Sequence, residues 1–329
     1  MWMSVVEHDL SADKLAFLQA VGISHICGDG PSGYGFDRLG YWDTEVLEDT
    51  RKRCEAHGIK LEMLTLPLNS VNVDRSVLPH IIRATPQRDS EIERLLKCIR
   101  AAAHAGIPSV KFNFTVGGVL RTEPEVGRAG AVHTAFNYDK FVSKPTSAGQ
   151  VSAGEMWARL GYLLDKITPV IDDTGLRISL HPHDPATPLG VGMDDRVLRD
   201  IASLERYLQE THSPLFGLTF CQGCIAESGA TTQEIVAGVR RFGHRIFMVH
   251  FRAIVGAYLH FREAFVDEGD IDMVAVMRAY HDTAPHHMLM VPDHYPRLPG
   301  DTPWGHQSRA YAIGYIKALI RAAGGESAD

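Results

Sequence analysis

Residues 215–251 decide the fold. LFGLTF (Leu215 to Phe220) is a short β-rich run, TTQEIVAGVRR (Thr231 to Arg241) a longer helix-compatible one, and IFMVHF (Ile246 to Phe251) a second β-rich run. Strand, helix and strand at these lengths make a parallel βα unit rather than part of a sandwich or a bundle. The alternation continues outward in both directions. Six further β-rich runs are Met3 to Glu7, Ser24 to Gly28, Lys60 to Leu66, Ser109 to Thr115, Arg177 to Leu180 and His287 to Val291. Helix-compatible segments such as Ser11 to Val21, Asp89 to Ala105 and Gly154 to Ile171 follow them. Ser11 stands at an N-cap position, and Gly22, Gly58 and Gly106 stand where helix C-terminal glycines belong.

Eight such pairs predict an α/β protein folded as a (β/α)8 TIM barrel, because open doubly wound sheets usually have fewer strands and a Gly-rich phosphate turn. No GxGxxG or GxxxxGK[ST] follows a strand here; GDGPSGYG (Gly28 to Gly35) lacks the spacing and reads as a βα loop at the top of the barrel. Barrels often exceed 250 residues as one domain, so residues 1–329 are expected to form a single barrel domain. A long loop insertion at about 116–150, with His133, Phe136 and Tyr138, is a candidate lid, since loops of that length are uncommon unless functional or disordered. The tail after Ala323 reads as frayed.

Composition narrows the function. With 33 Lys+Arg against 40 Asp+Glu, the formal net charge is −7, and no long basic block occurs. This lacks the footprint of a nucleic-acid or anionic-membrane binder and points to a small-molecule substrate. No apolar run approaches the roughly 20 residues that cross a bilayer, and the first ten residues carry Glu7 and Asp9 where a secretory signal needs basic and then apolar residues. Five cysteines (Cys27, Cys54, Cys98, Cys221, Cys224) are too sparse for a disulfide framework and fit a cytoplasmic protein. A homo-oligomer is left open.

Barrel enzymes carry their chemistry at the C-terminal ends of strands. Four late runs end in metal-ligand types: His181 follows RISL, Cys221 follows LFGLTF, His250 ends IFMVH, and Asp293 follows HMLMVP. Consecutive strand ends would set these side chains around one axis, and the mixed N/S/O set predicts a divalent Mn²⁺, Fe²⁺, Co²⁺ or Zn²⁺ rather than Ca²⁺. A single histidine at a strand end is more often a packed, hydrogen-bonded residue; four coinciding ends favour the metal. Cys221 and Cys224 also form a CxxC, but with no second pair and no thioredoxin-like context a redox role is the weaker reading. Lys111, Asn113, Arg121, His183, Asp184, Arg252, His294 and Tyr295 are predicted on the same rim. For Lys111 a strand residue facing away is as good a reading as a functional one.

At these residues the chain resembles the mannonate dehydratase family of xylose-isomerase-like TIM barrels. The matching blocks are VKFNF leading into LRT (Arg121, Thr122), HPHDP (His181 to Pro185), GLTFCQG (Gly217 to Gly223), VHFR (Val249 to Arg252), REAFVDEGDIDM (Arg262 to Met273) and PDH (Pro292 to His294). The resemblance implies a metal-dependent dehydratase that converts D-mannonate to 2-keto-3-deoxy-D-gluconate, with a metal, usually Mn²⁺, held by His181, Cys221, His250 and Asp293. The chain departs from the family pattern at His183 and Arg262. It departs again after PDH, where Trp304, His306 and Gln307 stand nearest the position of a family tyrosine.

Dehydrating an aldonate means removing the proton α to a carboxylate and expelling a β-hydroxyl. Arg121 and Arg252 are assigned to anion binding, Asn113 to hydroxyl recognition, and His294 to proton transfer, with Tyr295 or His306 as its partner. Two rivals stand: a metal-dependent sugar isomerase or epimerase on the same barrel, and a catalytically silent sugar-acid binder. Isomerase-type sites usually rely on more carboxylate ligands, whereas three of the four here are His or Cys.

Overall fold

The structure is a computed structural model that describes residues 1–187, 194–283 and 287–324. Eight parallel strands close into a barrel. They are β1 (Trp2–Glu7), β2 (His25–Gly28), β3 (Lys60–Thr65), β4 (Ser109–Phe112), β5 (Arg177–Leu180), β6 (Phe216–Cys221), β7 (Ile246–His250) and β8 (Leu289–Val291). Closure is parallel, with Trp2 and Met3 of β1 opposite Leu289 and Met290 of β8. Each strand is followed by a helix: α1 (Ala12–Ala20), α2 (Thr44–Glu55), α3 (Arg88–His104), α4 (Ala153–Thr174), α5 (Ile201–Glu210), α6 (Thr232–Phe242), α7 (Met273–Thr283) and α8 (His306–Ala322). All eight expected strands are present, and the barrel is the expected one. The tail past residue 324 lies outside the described residues.

Local chemistry explains the element ends. Thr231 and Glu234 form a capping box at the start of α6, and Ser152 with Glu155 does the same for α4. Gly22, Gly58 and Gly106 end α1, α2 and α3 at φ of 81°, 68° and 74°, a left-handed turn that a side chain would strain. Strand β4 stops at Phe112, short of the expected Thr115, because the Asn113 amide donates to the Leu68 carbonyl at 2.7 Å instead of continuing the ladder. The main core lies between strands and helices. A smaller cluster, Cys27, Met63, Phe247, Met248, Leu289 and Val291, comes entirely from barrel strands. No helix among the described residues is long and apolar enough to cross a membrane.

The segment expected to be a long lid loop carries structure of its own. Ala135–Asn137 pairs antiparallel with His260–Ala264, which pairs with Ala253–Ala257, so the β4 and β7 connections form one three-stranded sheet. Phe136 opposes Phe261, and both are buried. Two connections far apart in sequence thus brace each other at the ligand-bearing end of the barrel.

Candidate metal centre and active site

The ends of β5 to β8 deliver the four expected ligands to one place. His181 follows β5, Cys221 and His250 close β6 and β7 and stand opposite each other in the ladder, and Asp293 lies just beyond β8. The donor atoms of His181, Cys221 and His250, all buried, lie within 4.8 Å of one another. His181 Nε2 is 3.0 Å from His250 Nδ1, and Asp293 Oδ2 is 3.1 Å from that same Nδ1. The Pro182 carbonyl sits 2.5 Å from His181 Nδ1 and fixes the proton there, which leaves the Nε2 lone pair facing the centre. Asp293 reaches inward from a left-handed backbone, φ 55°, a conformation Asp tolerates better than most residues.

The electrostatics fit a divalent cation. Burial alone would raise the Cys221 thiol. The hydrogen bond from Cys224, the Arg252 guanidinium and the two histidines outweigh burial and hold the thiol well below its usual value. Cys224 is pushed well up, by burial and then by Cys221. Asp293 resists the upward push of burial because His250 and His294 hold it well below the carboxylate range. His181 is lowered because burial outweighs the opposing pull of Cys221, with smaller downward contributions from His250 and the Lys111 charge. Burial would lower His250, but Asp293 and then Cys221 outweigh it and raise the imidazole. One thiol, one carboxyl and two imidazoles therefore converge, the residue types that hold a divalent transition metal.

Behind these ligands lies a buried charge network that holds both arginines expected to bind the substrate's anion. Arg252 is fully buried. Its Nη1 donates to both Glu263 carboxylate oxygens at 2.9 and 2.8 Å, and its Nη2 to Glu227 at 2.6 Å and Asp184 at 3.1 Å. Its Nε points to the Cys221 sulfur at 3.3 Å and lies 3.4 Å from Asp293 Oδ2. Arg121 forks onto Asp184 and reaches Glu263 at 2.7 Å. Both guanidiniums are thus occupied by carboxylates, and neither lines the cavity beside the ligands. Gly223 makes this packing possible, since a Cβ there would fall 2.6 Å from Arg252 Cζ. Sequence reasoning missed Glu227 and Glu263. The one available sign was the HFREA alternation, which puts Glu263 on the same strand face as the buried Phe261.

A cavity of about 240 Å³ opens at this centre; Lys111, Asn113, Asp184, His294, Tyr295 and Arg309 are among its walls. His294 Nδ1 lies 2.9 Å from Glu263 Oε1, so its orientation is set by the braced sheet. Burial pulls His294 down, but Asp293 and Glu263 prevail and raise it to about 9. Burial pushes the Tyr295 phenol up to about 12. His306 is not brought to this cavity. It opens α8, bonds Thr302 Oγ1 at 2.5 Å and packs edge-on against Phe17 and Trp304, which corrects its expected place in the site. His183 is likewise turned away: its Nε2 bonds the Phe114 carbonyl at 2.7 Å and its Nδ1 accepts from the Leu198 amide.

A family model described as D-mannonate dehydratase (UxuA) matches residues 136–327. The chain is 27% identical over 315 residues to mannonate dehydratase 2 of Halalkalibacterium halodurans, covering 85% of each chain. It is 26% identical over 319 residues to the mannonate dehydratase of Thermotoga maritima, covering 84% of this chain and 83% of that one. The crystal structure of mannonate dehydratase from Streptococcus suis serotype 2 superposes with a TM-score of 0.83 at 25% identity, over 99% of this chain and 95% of that one. An L-ribulose 3-epimerase, at 13% identity and TM-score 0.59 over 98% of this chain and 96% of that one, shares the fold alone.

Proposed function

The chain belongs to the D-mannonate dehydratase (UxuA) family and is a hydro-lyase of sugar acids, and from that premise we propose that it converts D-mannonate to 2-keto-3-deoxy-D-gluconate with Mn²⁺ held by His181, Cys221, His250 and Asp293. The observation that carries the reading is the convergence of these four side chains beside a cavity lined by His181, His250, Asp293 and His294. A metal held by these residues would supply Lewis acidity to the bound substrate. The reaction removes the C2 proton and expels the C3 hydroxyl; the resulting enol gains a proton at C3 and becomes the 2-keto acid. His294, oriented through Nδ1 by Glu263 and with Nε2 3.8 Å from Asp293 Oδ2, hands a proton from Nε2 to the departing hydroxyl. Tyr295, which keeps its phenolic proton at neutral pH, is the second proton-bearing group on the wall, and Asn113 recognises a substrate hydroxyl. Arg252 and Arg121 act from behind, holding Glu263 and Asp184 and steadying Cys221 and Asp293. All five cysteines are free and buried, which suits a reducing cytoplasm.

The test is a panel of aldonates incubated with the Mn²⁺-loaded protein and assayed for a 2-keto-3-deoxy acid. D-mannonate should give it, with exchange or an isotope effect at C2 in heavy water. An epimer formed without loss of water would point to an isomerase or epimerase, and binding without turnover to a silent sugar-acid binder.

A further inference from the structure

We infer that Lys111 is the residue that receives the substrate's carboxylate, and so selects sugar acids over their uncharged counterparts. The inference rests on the reading of the site as one for a sugar acid and adds the residue that recognises the acid. Lys111 lies on β4 with 6% of its surface exposed and lines the cavity together with Asn113, just past the end of the strand. Its ladder partners on the adjacent strands are Thr65 and Ser179, neither of which carries a charge. The other basic side chains on that wall have partners, His181 and His250 each other at 3.0 Å. Arg309 lies 3.3 Å from Glu7, His294 2.9 Å from Glu263, and His8 3.4 Å from Asp29. The acids on the wall are spoken for as well: Asp184 by Arg121 and Arg252, Asp29 by His8, and Asp293 by His250. Among the described residues Lys111 makes no ion pair, so it is the one cation of the cavity wall left for an incoming anion.

An ammonium taken out of water without a counter-ion is costly, and sequence alone could equally have turned this side chain outward. A substrate carboxylate answers that cost and leaves the paired arginines undisturbed. A charge-assisted hydrogen bond of this kind corresponds to roughly ten- to hundredfold in affinity.

The experiment compares 3-deoxy-D-mannonate, which has no C3 hydroxyl to expel, with its neutral amide by calorimetric titration of the Mn²⁺-loaded protein. Wild type should prefer the acid. Lys111→Met should cut the preference by about tenfold or more while metal content stays full, and Lys111→Arg should keep most of it. Lys111→Gln serves if the Met variant does not fold. An acid-to-amide preference unchanged in a folded, metal-loaded Met or Gln variant overturns the inference, as does a wild type that binds both equally. Turnover does not enter this readout, so D-mannonate that binds through Lys111 yet is not dehydrated would count against the proposed reaction and leave the carboxylate subsite standing.

Discussion

At the scale of single residues, the candidate ligands are legible and the residues packed behind them are not. His181, Cys221, His250 and Asp293 stand out because strand ends in a barrel converge on one axis, so residue type and position are enough. Glu227 and Glu263 come from a short helix and from a hairpin beyond β7, and nothing local in the sequence says that they fold back onto Arg252. The arginines were misplaced for the same reason: a cation near a strand end looks like an anion receptor until its carboxylate partners are seen. In the proposed reaction His294 is the residue on which the chemistry turns, because it lines the cavity and is held by Glu263. His294→Asn is expected to lower turnover by about 10²-fold or more while metal content, measured by elemental analysis, stays near that of wild type. Tyr295→Phe should give the next largest loss, and His306→Asn should stay close to wild type because its ring packs on Phe17 and Trp304. Near-normal turnover in His294→Asn would remove that residue from the mechanism.

At the scale of elements, strands and helices follow from apolar runs and punctuation by Gly, Ser and Thr, and the boundaries deviate where a backbone bond is diverted, as at Asn113. Helix α8 shows a start signal that cannot be read from its neighbours. Its N-cap is Gly305, which has no capping side chain, and the cap comes instead from Asp301. That carboxylate accepts from the amides of Gln307 at 3.0 Å and Ser308 at 2.9 Å, as well as from Thr302 at 2.8 Å and the Ser308 hydroxyl. Asp301→Ala should cost about 1 kcal/mol, read from denaturant unfolding. The contribution also carries a pH signature. Burial would raise Asp301, but its bonds to Ser308, Gln307 and Thr302 win and lower it to about 2. The folded value is below the unfolded one of about 3.8, so the stabilisation is complete above pH 4 and fades as the pH falls toward 2. The stability difference between wild type and Asp301→Ala should therefore shrink between pH 4 and 2, and a difference that is constant over that range would refute the carboxylate's role.

At the scale of the whole molecule, the proposed metal centre would tie together half of the barrel. The ligands sit at the ends of four consecutive strands, β5 to β8, whose other ends are already held by the ladder and the surrounding helices. Cys221 and Asp293, both held well below their usual values, have only histidines, Cys224 and Arg252 to offset them without a cation. The barrel should fold in that state, because its cores do not pass through the ligands. A cation that binds only the folded form adds stability that grows with its concentration, about 2.7 kcal/mol at 100 times its dissociation constant. Thermal unfolding followed by circular dichroism should therefore show a cooperative transition in chelator, moving upward as Mn²⁺ is added. The shift should be largely lost in Cys221→Ala and His250→Ala, whose transitions in chelator should stay cooperative. Acid should erase the shift as well, since the metal competes with protons for the imidazole and thiolate positions. A melting temperature indifferent to Mn²⁺ in wild type, or an equal rise in the two ligand variants, would mean that these four strand ends do not hold the metal, whatever the family resemblance of the rest of the chain.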